Sequence, residues 1–335
     1  MTDSQPEPLI DSFGRVHRSL RVSVTDRCNI RCFYCMPLEN VQFKPRTELL
    51  TFEEIERVVQ VAARHGIRKL RLTGGEPLVR SGLADLVQRL HRVAGIDEIA
   101  LTTNGMLLAE QAASLKQAGL NRLNVSLDAL NEATFERITR RQGLNRVLAG
   151  IAAAQEAGFS EIRLNAVSIR GLTEDEVVPL ANFARERDLH LRFIEFMPLD
   201  ADRAWGSEQV LSGSELRAII SRDVAPLIES PRNNSSQPAV DFTYVDSGQL
   251  VGFINSVTEP FCGKCDRLRI TAEGQLRNCL FSTTEWDARY LLRSGGTDDE
   301  LTRLLKACVA EKKASHGIES PGFVPPARAM YQIGG

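Results

Sequence analysis

The sequence has little net charge, no long apolar run and only five histidines. Lys and Arg number 41 against 43 Asp and Glu, so no overall basic excess points to a nucleic-acid partner. No apolar run is long enough to span a membrane, and the first 19 residues lack the apolar core of a secretory signal. The few histidines give no support to a Ser-His-Asp triad. We therefore expect a cytoplasmic protein, with one large domain or two ordinary ones over 335 residues.

Cysteine is scarce, and six of the seven cysteines fall into two groups of three. The first group is Cys28, Cys32 and Cys35, and the second group is Cys262, Cys265 and Cys279. An odd number of cysteines without a signal peptide favours reduced thiols and metal ligation over disulfides. A 4Fe-4S cluster usually takes four cysteine ligands, so three leave one iron open to a substrate or cofactor. The first group therefore predicts a cluster that takes part in chemistry, and the second group likewise lacks a fourth ligand.

A zinc site is the alternative for either group. Structural zinc needs a fourth ligand nearby, whereas the histidines nearest the first group, His17 and His65, lie far off in sequence. The CxxC spacing of Cys262 and Cys265 is by itself a weak signal, shared by zinc ribbons and redox sites. Cys308 is the remaining cysteine, and its helical surroundings predict a buried structural thiol. Were it a ligand, the second site would be closed.

Short β-rich runs alternate with helical patterns as far as Phe196. We predict strands at residues 20–25, 69–73, 98–102, 122–126, 161–167 and 190–196. Thr51 with Glu54, and Thr173 with Glu176, have the spacing of helix capping boxes. Strands that alternate with helices imply right-handed βαβ units and a parallel sheet. Six such units make an α/β fold, either an incomplete (β/α)6 TIM-like barrel, which we predict, or a curved open sheet.

The pattern changes after Phe196. A capped helix is predicted at residues 212–220, and short strands are predicted near 242–245, 250–254 and 268–270. We therefore expect an N-terminal extension at residues 1–19, the partial barrel at 20–200, and a smaller C-terminal α+β domain at 201–335 that carries the second cysteine group.

Polar residues share one face of four predicted strands, which is unusual in a buried parallel sheet. They are Arg21, Ser23 and Thr25 on the first strand, Arg71 and Thr73 on the second, Asn124 and Ser126 on the fourth, and Arg163 and Asn165 on the fifth. Inside a barrel they would line a lumen suited to a polar, anionic ligand; the alternative is that they lie at strand ends in water. The first cysteine group and the turn Gly74-Gly75-Glu76-Pro77 each follow a strand, so we expect them to be neighbours at the ligand-binding rim.

The spacing CxxxCxxC, with Tyr34 before the last cysteine, resembles the signature of the radical S-adenosylmethionine (SAM) superfamily. The surrounding sequence from Leu20 to Pro37 is similar to that of the GTP 3′,8-cyclase family of molybdenum cofactor biosynthesis. Further motifs of that family follow in order: the Gly-Gly-Glu-Pro turn, the second cysteine group, Arg267-Leu268-Arg269 and the final Gly334-Gly335. The resemblance extends over residues 11–335.

The resemblance implies SAM and two 4Fe-4S clusters as cofactors. The first group would hold the SAM-binding cluster, and Tyr34, Gly75, Ser126 and Met197 would line the SAM pocket. The second group would hold a cluster whose open iron binds the guanine of GTP. The implied GTP contacts are Arg21, Arg71, Thr102, Arg163, Arg267, Leu268 and Arg269, and the implied catalytic tail is Gly334 and Gly335. Arg163 stands where the family has Lys, a change that keeps the charge but not the geometry.

The implied reaction is a radical cyclisation of GTP. One electron would reduce the first cluster and SAM would be cleaved to methionine and a 5′-deoxyadenosyl radical. That radical would take hydrogen from the ribose 3′ carbon, which would then attack carbon 8 of guanine. The implied partners are a reductant such as flavodoxin or ferredoxin, and cyclic pyranopterin monophosphate synthase as recipient of the product; a homodimer is left open. Two alternatives remain, another radical SAM enzyme with one auxiliary cluster and a non-catalytic scaffold with two zinc sites.

Overall fold

One twelve-stranded sheet organises the chain in the computed structural model, which describes residues 7–200, 202–232 and 235–334. The strands are β1 Ser19–Ser23, β2 Lys69–Thr73, β3 Glu98–Thr103, β4 Arg122–Ser126, β5 Ile162–Ser168, β6 His190–Glu195, β7 Leu227–Glu229, β8 Val240–Tyr244, β9 Leu250–Ile254, β10 Arg267–Ile270, β11 Gln275–Arg277 and β12 Trp286–Asp287. The strands β1 to β6 lie side by side in chain order and are all parallel. The predicted six-unit partial barrel is therefore confirmed.

Helices follow each of these six strands. The helices are α1 Phe52–Arg64, α2 Leu83–His91, α3 Leu108–Gln117, α4 Glu132–Thr139, α5 Leu144–Glu156, α6 Val177–Glu186, α7 Gly213–Asp223, α8 Ala288–Arg293, α9 Asp298–Ala310 and α10 Met330–Ile333. None of the helices in the described ranges is both long and apolar enough to cross a membrane.

Alternation along the strands separates an apolar outer face from a polar inner face. In β5, Ile162, Leu164 and Ala166 are buried in the hydrophobic core, whereas Arg163 and Asn165 turn to the inside of the sheet. The helices cover the outer face with apolar residues at spacings of three and four, as in α1. The core therefore lies between helices and sheet, and the concave side is left for polar groups.

The C-terminal strands complete both edges of this sheet. Strand β10 pairs in parallel with β1, and β9 pairs in parallel with β6. Further antiparallel pairs add β11 and β12 at one edge and β8 and β7 at the other. Residues beyond 200 thus build the same sheet as the partial barrel, and their separation into a distinct domain at 201–335 stays a prediction.

The Thr-x-x-Glu spacing predicts two capping boxes, of which only one forms. The Thr51 hydroxyl accepts from Glu54 N at 3.2 Å, and the Glu54 carboxylate accepts from Thr51 N at 2.7 Å. The second prediction is wrong: Thr173 makes no side-chain cap, because its hydroxyl accepts from Ile169 N at 2.8 Å. The buried Glu176 instead accepts from the backbone of Leu130 and Asn131.

The turn after β2 packs directly against the loop after β1. Gly75 N donates to Thr25 O at 2.8 Å, and Glu76 N donates to Arg27 O at 2.7 Å. A Cβ atom on Gly75 would lie 2.4 Å from Arg27 O, so only glycine allows this approach. The prediction that the Gly-Gly-Glu-Pro turn and the loop of the first cysteine group are neighbours is therefore confirmed.

We predict that Gly75→Ala destabilises the protein by about 1–3 kcal/mol, because the added methyl forces two backbone segments apart. The melting temperature of the metal-free protein should fall, and the first cysteine loop should take up less iron on reconstitution. Gly322→Ala is the matched control, since a Cβ there meets nothing within 4 Å. Equal melting temperatures for both variants would contradict the close approach.

Candidate active site

A cavity of about 490 Å³ fills the concave side of the sheet. Residues of all six parallel strands line it, and so do Ile254 of β9 and Arg267 and Arg269 of β10. Both cysteine groups open into the same cavity. The structure therefore brings together two sets of three thiols that lie more than two hundred residues apart in the chain.

The first cysteine group lies on the loop between β1 and α1. Its backbone is tied to the end of α4, where Arg31 N donates to Thr139 O at 2.9 Å and Phe33 N donates to Ile138 O at 3.1 Å. Asn104 Nδ2 lies 3.7 Å from the Cys28 sulfur. The thiols are therefore presented by a loop that two neighbouring turns hold in place.

The surroundings of the first group disfavour free thiolates. Burial, aided by the Glu76 carboxylate, raises the pKa of Cys28 to about 11. Burial also raises the pKa of Cys32, with Asp128 as the next cause, and that of Cys35. Thiolate is the form that ligates metal, and metal binding releases the thiol protons. A cationic iron cluster would supply the positive charge that this end of the cavity lacks.

Two carboxylates, Glu76 and Asp128, fix the turns around the first group. The Glu76 side chain accepts from Thr103 Oγ1 at 2.7 Å and from Asn104 N at 2.7 Å, and burial raises its pKa to about 7. Asp128 accepts from the Tyr34 hydroxyl at 2.5 Å, and burial raises its pKa to about 6. Asp128, which follows β4, is thus linked to the cysteine loop, and Glu76 links the turn after β2 to the end of β3.

The four residues predicted for the SAM pocket all line the cavity. They are Tyr34, Gly75, Ser126 and Met197. The Tyr34 hydroxyl points to Asp128, which leaves the backbone of Tyr34 for a ligand. The residues predicted for SAM and the three thiols thus line the same cavity, and their role in SAM binding stays a prediction.

In the second cysteine group, burial raises the pKa of Cys262, but Cys265 lies in an opposite electrostatic setting. Burial opposes the charged form, yet Arg267 and then Lys312 lower the pKa of Cys265 to about 6. Lys312 Nζ donates to Arg267 O at 2.8 Å, and Arg15 Nη1 donates to Cys262 O at 2.7 Å. Cations thus hold the loop and favour a thiolate for metal ligation.

Neither group is arranged as a site for one metal ion. Among residues 7–200, 202–232 and 235–334, no three His, Cys, Asp or Glu side chains could share a single ion. Cys308 is buried in α9, as predicted, and does not line the cavity; burial raises its pKa to about 12.

Arginines line the cavity between the two cysteine groups. Burial lowers the pKa of Arg71 well below its usual range, and the charged neighbours that lower it further are Arg21, Arg122, Arg163 and Arg192. Burial, then Arg163, lowers the pKa of Arg192 to about 9; burial, then Arg267, lowers that of Arg269 to about 9. Such mutual repulsion marks a site that is completed by an anion.

The predicted GTP contacts are brought together with one exception. Arg21, Arg71, Thr102, Arg163, Arg267 and Arg269 line the cavity. The Leu268 side chain instead packs in the hydrophobic core, because alternate residues of β10 face opposite sides. The Arg163 guanidinium also lies 3.6 Å from the Glu161 carboxylate, which partly neutralises its charge. Of the residues predicted for the lumen, Ser23 and Thr25 are buried but do not line the cavity.

Three further cations line the cavity that the sequence analysis did not single out, namely Lys69, Arg122 and Arg192. Lys69 and Arg122 precede Arg71 and Asn124 by two residues, so the two-residue alternation could have identified them. Arg192 pairs in register with Asn165 on the neighbouring strand. That register becomes visible only once the strands are aligned.

The tail reaches the same cavity wall. Arg269 Nη1 donates to Gly334 O at 2.5 Å, and a Cβ on Gly334 would lie 2.9 Å from the Ser23 Cβ. Gly334 also has a φ of +85°, which favours glycine. The other predicted tail residue, Gly335, lies outside the described residues.

Comparison with known families agrees with these features. The profile of the Radical SAM superfamily matches residues 22–184, and that of Molybdenum Cofactor Synthesis C matches residues 189–318. Among solved structures, Streptococcus suis SuiB aligns with a TM-score of 0.59 at 16% identity, over 94% of this chain and 68% of that one. Native anSMEcpe with bound AdoMet aligns with a TM-score of 0.58 at 14% identity, over 89% of this chain and 81% of that one. These identities show a shared fold alone.

Several sequence relatives are much closer. A GTP 3′,8-cyclase of Rhodopirellula baltica is 54% identical over 100% of this chain and 94% of its own length. That of Pelotomaculum thermopropionicum is 45% identical over 97% and 99%, and that of Streptomyces coelicolor is 44% identical over 98% and 96%. Identity at this level over whole chains, together with the two cysteine groups and the arginine-lined cavity, shows that this chain belongs to the GTP 3′,8-cyclase family of radical SAM enzymes.

Proposed function

We propose that this chain catalyses the SAM-dependent cyclisation of GTP to (8S)-3′,8-cyclo-7,8-dihydroguanosine 5′-triphosphate, the first step of molybdenum cofactor biosynthesis. The observation that carries the proposal is the arginine-lined cavity that joins the two cysteine groups. A nucleoside triphosphate would supply the negative charge that the arginines require, with its base and sugar in the cavity that both cysteine groups line.

Cys28, Cys32 and Cys35 would hold one 4Fe-4S cluster, whose open iron binds SAM. When bound, this cluster and SAM supply the one-electron cleavage and the hydrogen abstraction that the reaction needs. Tyr34, Gly75, Ser126 and Met197 line the same cavity and would orient SAM. The protein's own contribution is to place the ribose of the substrate against SAM and to exclude water.

Cys262, Cys265 and Cys279 would hold the second 4Fe-4S cluster, with its open iron on the guanine. Support comes from the low pKa of Cys265 and from the position of the group in the same cavity. Arg21, Arg71, Arg267 and Arg269 would bind the triphosphate through charge-assisted hydrogen bonds. Arg163 would add charge at the side of the cavity where it faces Glu161, and Leu268 could contact GTP only through its backbone.

We also propose the partners that the chemistry requires. A one-electron reductant such as flavodoxin or ferredoxin would reduce the first cluster, and cyclic pyranopterin monophosphate synthase would take the product. The homodimer and the cytoplasmic location stay predictions.

The proposal predicts two products from one anaerobic incubation of the iron-reconstituted protein with SAM, dithionite and GTP. We expect 5′-deoxyadenosine and cyclised nucleotide, measured together by mass spectrometry, with neither formed when SAM is omitted. Cys28→Ala should abolish both, because the first cluster loses a ligand. Formation of 5′-deoxyadenosine alone would favour another radical SAM enzyme with one auxiliary cluster. If neither product forms at full iron content, the result would favour a non-catalytic scaffold.

We predict that Arg71→Met has opposite effects on stability and on binding. Removing one of several mutually repelling buried charges should raise the melting temperature of the nucleotide-free protein. Loss of charged hydrogen bonds worth about 1.5–3 kcal/mol should weaken GTP binding by about ten- to a hundredfold, measured by calorimetry. Arg222→Met, at an exposed arginine paired with Asp223, is the control and should change neither quantity. A destabilised Arg71→Met protein with unchanged GTP affinity would contradict an anion site.

A further inference from the structure

A charged bridge joins the loop of the second cysteine group to the C-terminal segment. It consists of four residues, Arg277, Glu285, Arg328 and Glu273. The two oxygens of Glu285 are divided between two arginines: Oε1 accepts from Arg277 Nη1, and Oε2 accepts from Arg328 Nη2 at 2.7 Å. The other arm of Arg328 donates to the buried Glu273. Glu285 is therefore the central member of the bridge.

One end of the bridge shapes the loop that carries Cys279. Arg277 is buried, and its Nη2 donates to Ser282 O and, at 3.4 Å, to Leu280 O. It therefore holds two carbonyl groups, one and three residues after the third cysteine of the second group. Arg277 also pairs in register with Arg269 on β10, which faces the cavity.

The other end of the bridge anchors the C-terminal segment, whose Met330 lines the cavity. Arg328 precedes α10 by two residues. Within α10, Met330 lines the cavity, and just after α10 Gly334 O accepts from Arg269 Nη1. This segment consequently borders the cavity and contacts an arginine that lines it.

The bridge depends on the charge of Glu285. Both arginines share this one carboxylate, and Arg277 has no other carboxylate partner among the described residues. Removing one member of a buried ion pair leaves the other unpaired, which is costly. Loss of the charge on Glu285 would therefore loosen the Cys279 loop and the C-terminal segment at the same time.

We propose that Glu285 is a positioning residue that couples the loop of the second cysteine group to the seating of the C-terminal segment across the cavity. The inference rests on the proposed function and deepens it. A formed Cys279 loop aligns Arg277, Glu285 then holds Arg328, and the segment closes over the space between the two cysteine groups. Closure excludes water while the substrate radical exists, so that each SAM cleaved gives one cyclised nucleotide.

The test is Glu285→Gln in the iron-reconstituted full chain. We expect unchanged iron content and continued 5′-deoxyadenosine formation with GTP, but a fall on the order of tenfold in cyclised nucleotide per 5′-deoxyadenosine. Amide hydrogen exchange of residues 328–334 should increase in the same variant. Glu285→Asp, which keeps the charge, should restore part of the product ratio.

The matched control is Asp298→Asn. Asp298 likewise lies between two arginines, Arg57 and Arg64, but on the outer surface where α9 meets α1. The Asp298→Asn substitution should leave the product ratio and the hydrogen exchange of the C-terminal segment unchanged.

Three results would overturn the proposal. The first is a product ratio and a hydrogen exchange in Glu285→Gln that equal those of the wild type. The second is an equal fall of the product ratio in Asp298→Asn. The third is a loss of iron from Glu285→Gln, because the bridge would then serve only to retain the cluster. If the wild-type protein forms no cyclised nucleotide, the proposed function fails, and the exchange measurement still decides whether Glu285 seats the segment.

Discussion

Mutual repulsion between buried arginines is the constraint on which the interior of this protein depends. The curved sheet leaves its concave face to polar residues, and the pairing of β10 with β1 sets Arg269 directly beside Arg21. Burial lowers the pKa of Arg21 and that of Arg71, and neighbouring arginines lower both further, so these charges are held in the lumen at an electrostatic cost. The fold tolerates that cost because the apolar core on the other side of the sheet is extensive. A triphosphate turns the same charges into attraction.

The two ends of the cavity differ in sign, and this difference orders the ligands. Glu76 and Asp128 lie beside the first cysteine group, whereas Arg267 and Lys312 lie beside the second. SAM carries a sulfonium and an ammonium, so the acidic end suits it. GTP is an anion and suits the cationic lumen. The cavity therefore offers two different electrostatic environments, an acidic one beside the first cysteine group and a cationic one beside the second.

Local patterns in the sequence predict most of the parallel sheet and much of the site. Strands β2 and β4 have the predicted bounds, and the polar inner face of β5 follows from its two-residue alternation. The predicted cap at Thr173 fails because the buried Glu176 is used in a contact with a distant turn, which spacing does not encode. The same holds for β10, whose partner β1 is remote in the chain, and for Arg192, whose place depends on strand register. Long-range pairing, rather than local propensity, separates what could be predicted from what could not.

The closure of the sheet by late strands has a consequence for biosynthesis on the ribosome. The outer edge of β1 pairs with β10, so Ser19 finds its partner only when Arg267 has been made. At about 5–20 residues per second, the nascent chain carries that open edge for on the order of tens of seconds. Unpaired strand edges are templates for aggregation. The nascent protein therefore depends on shielding of its first strand until nearly four-fifths of the chain has been translated, since Arg267 is residue 267 of 335.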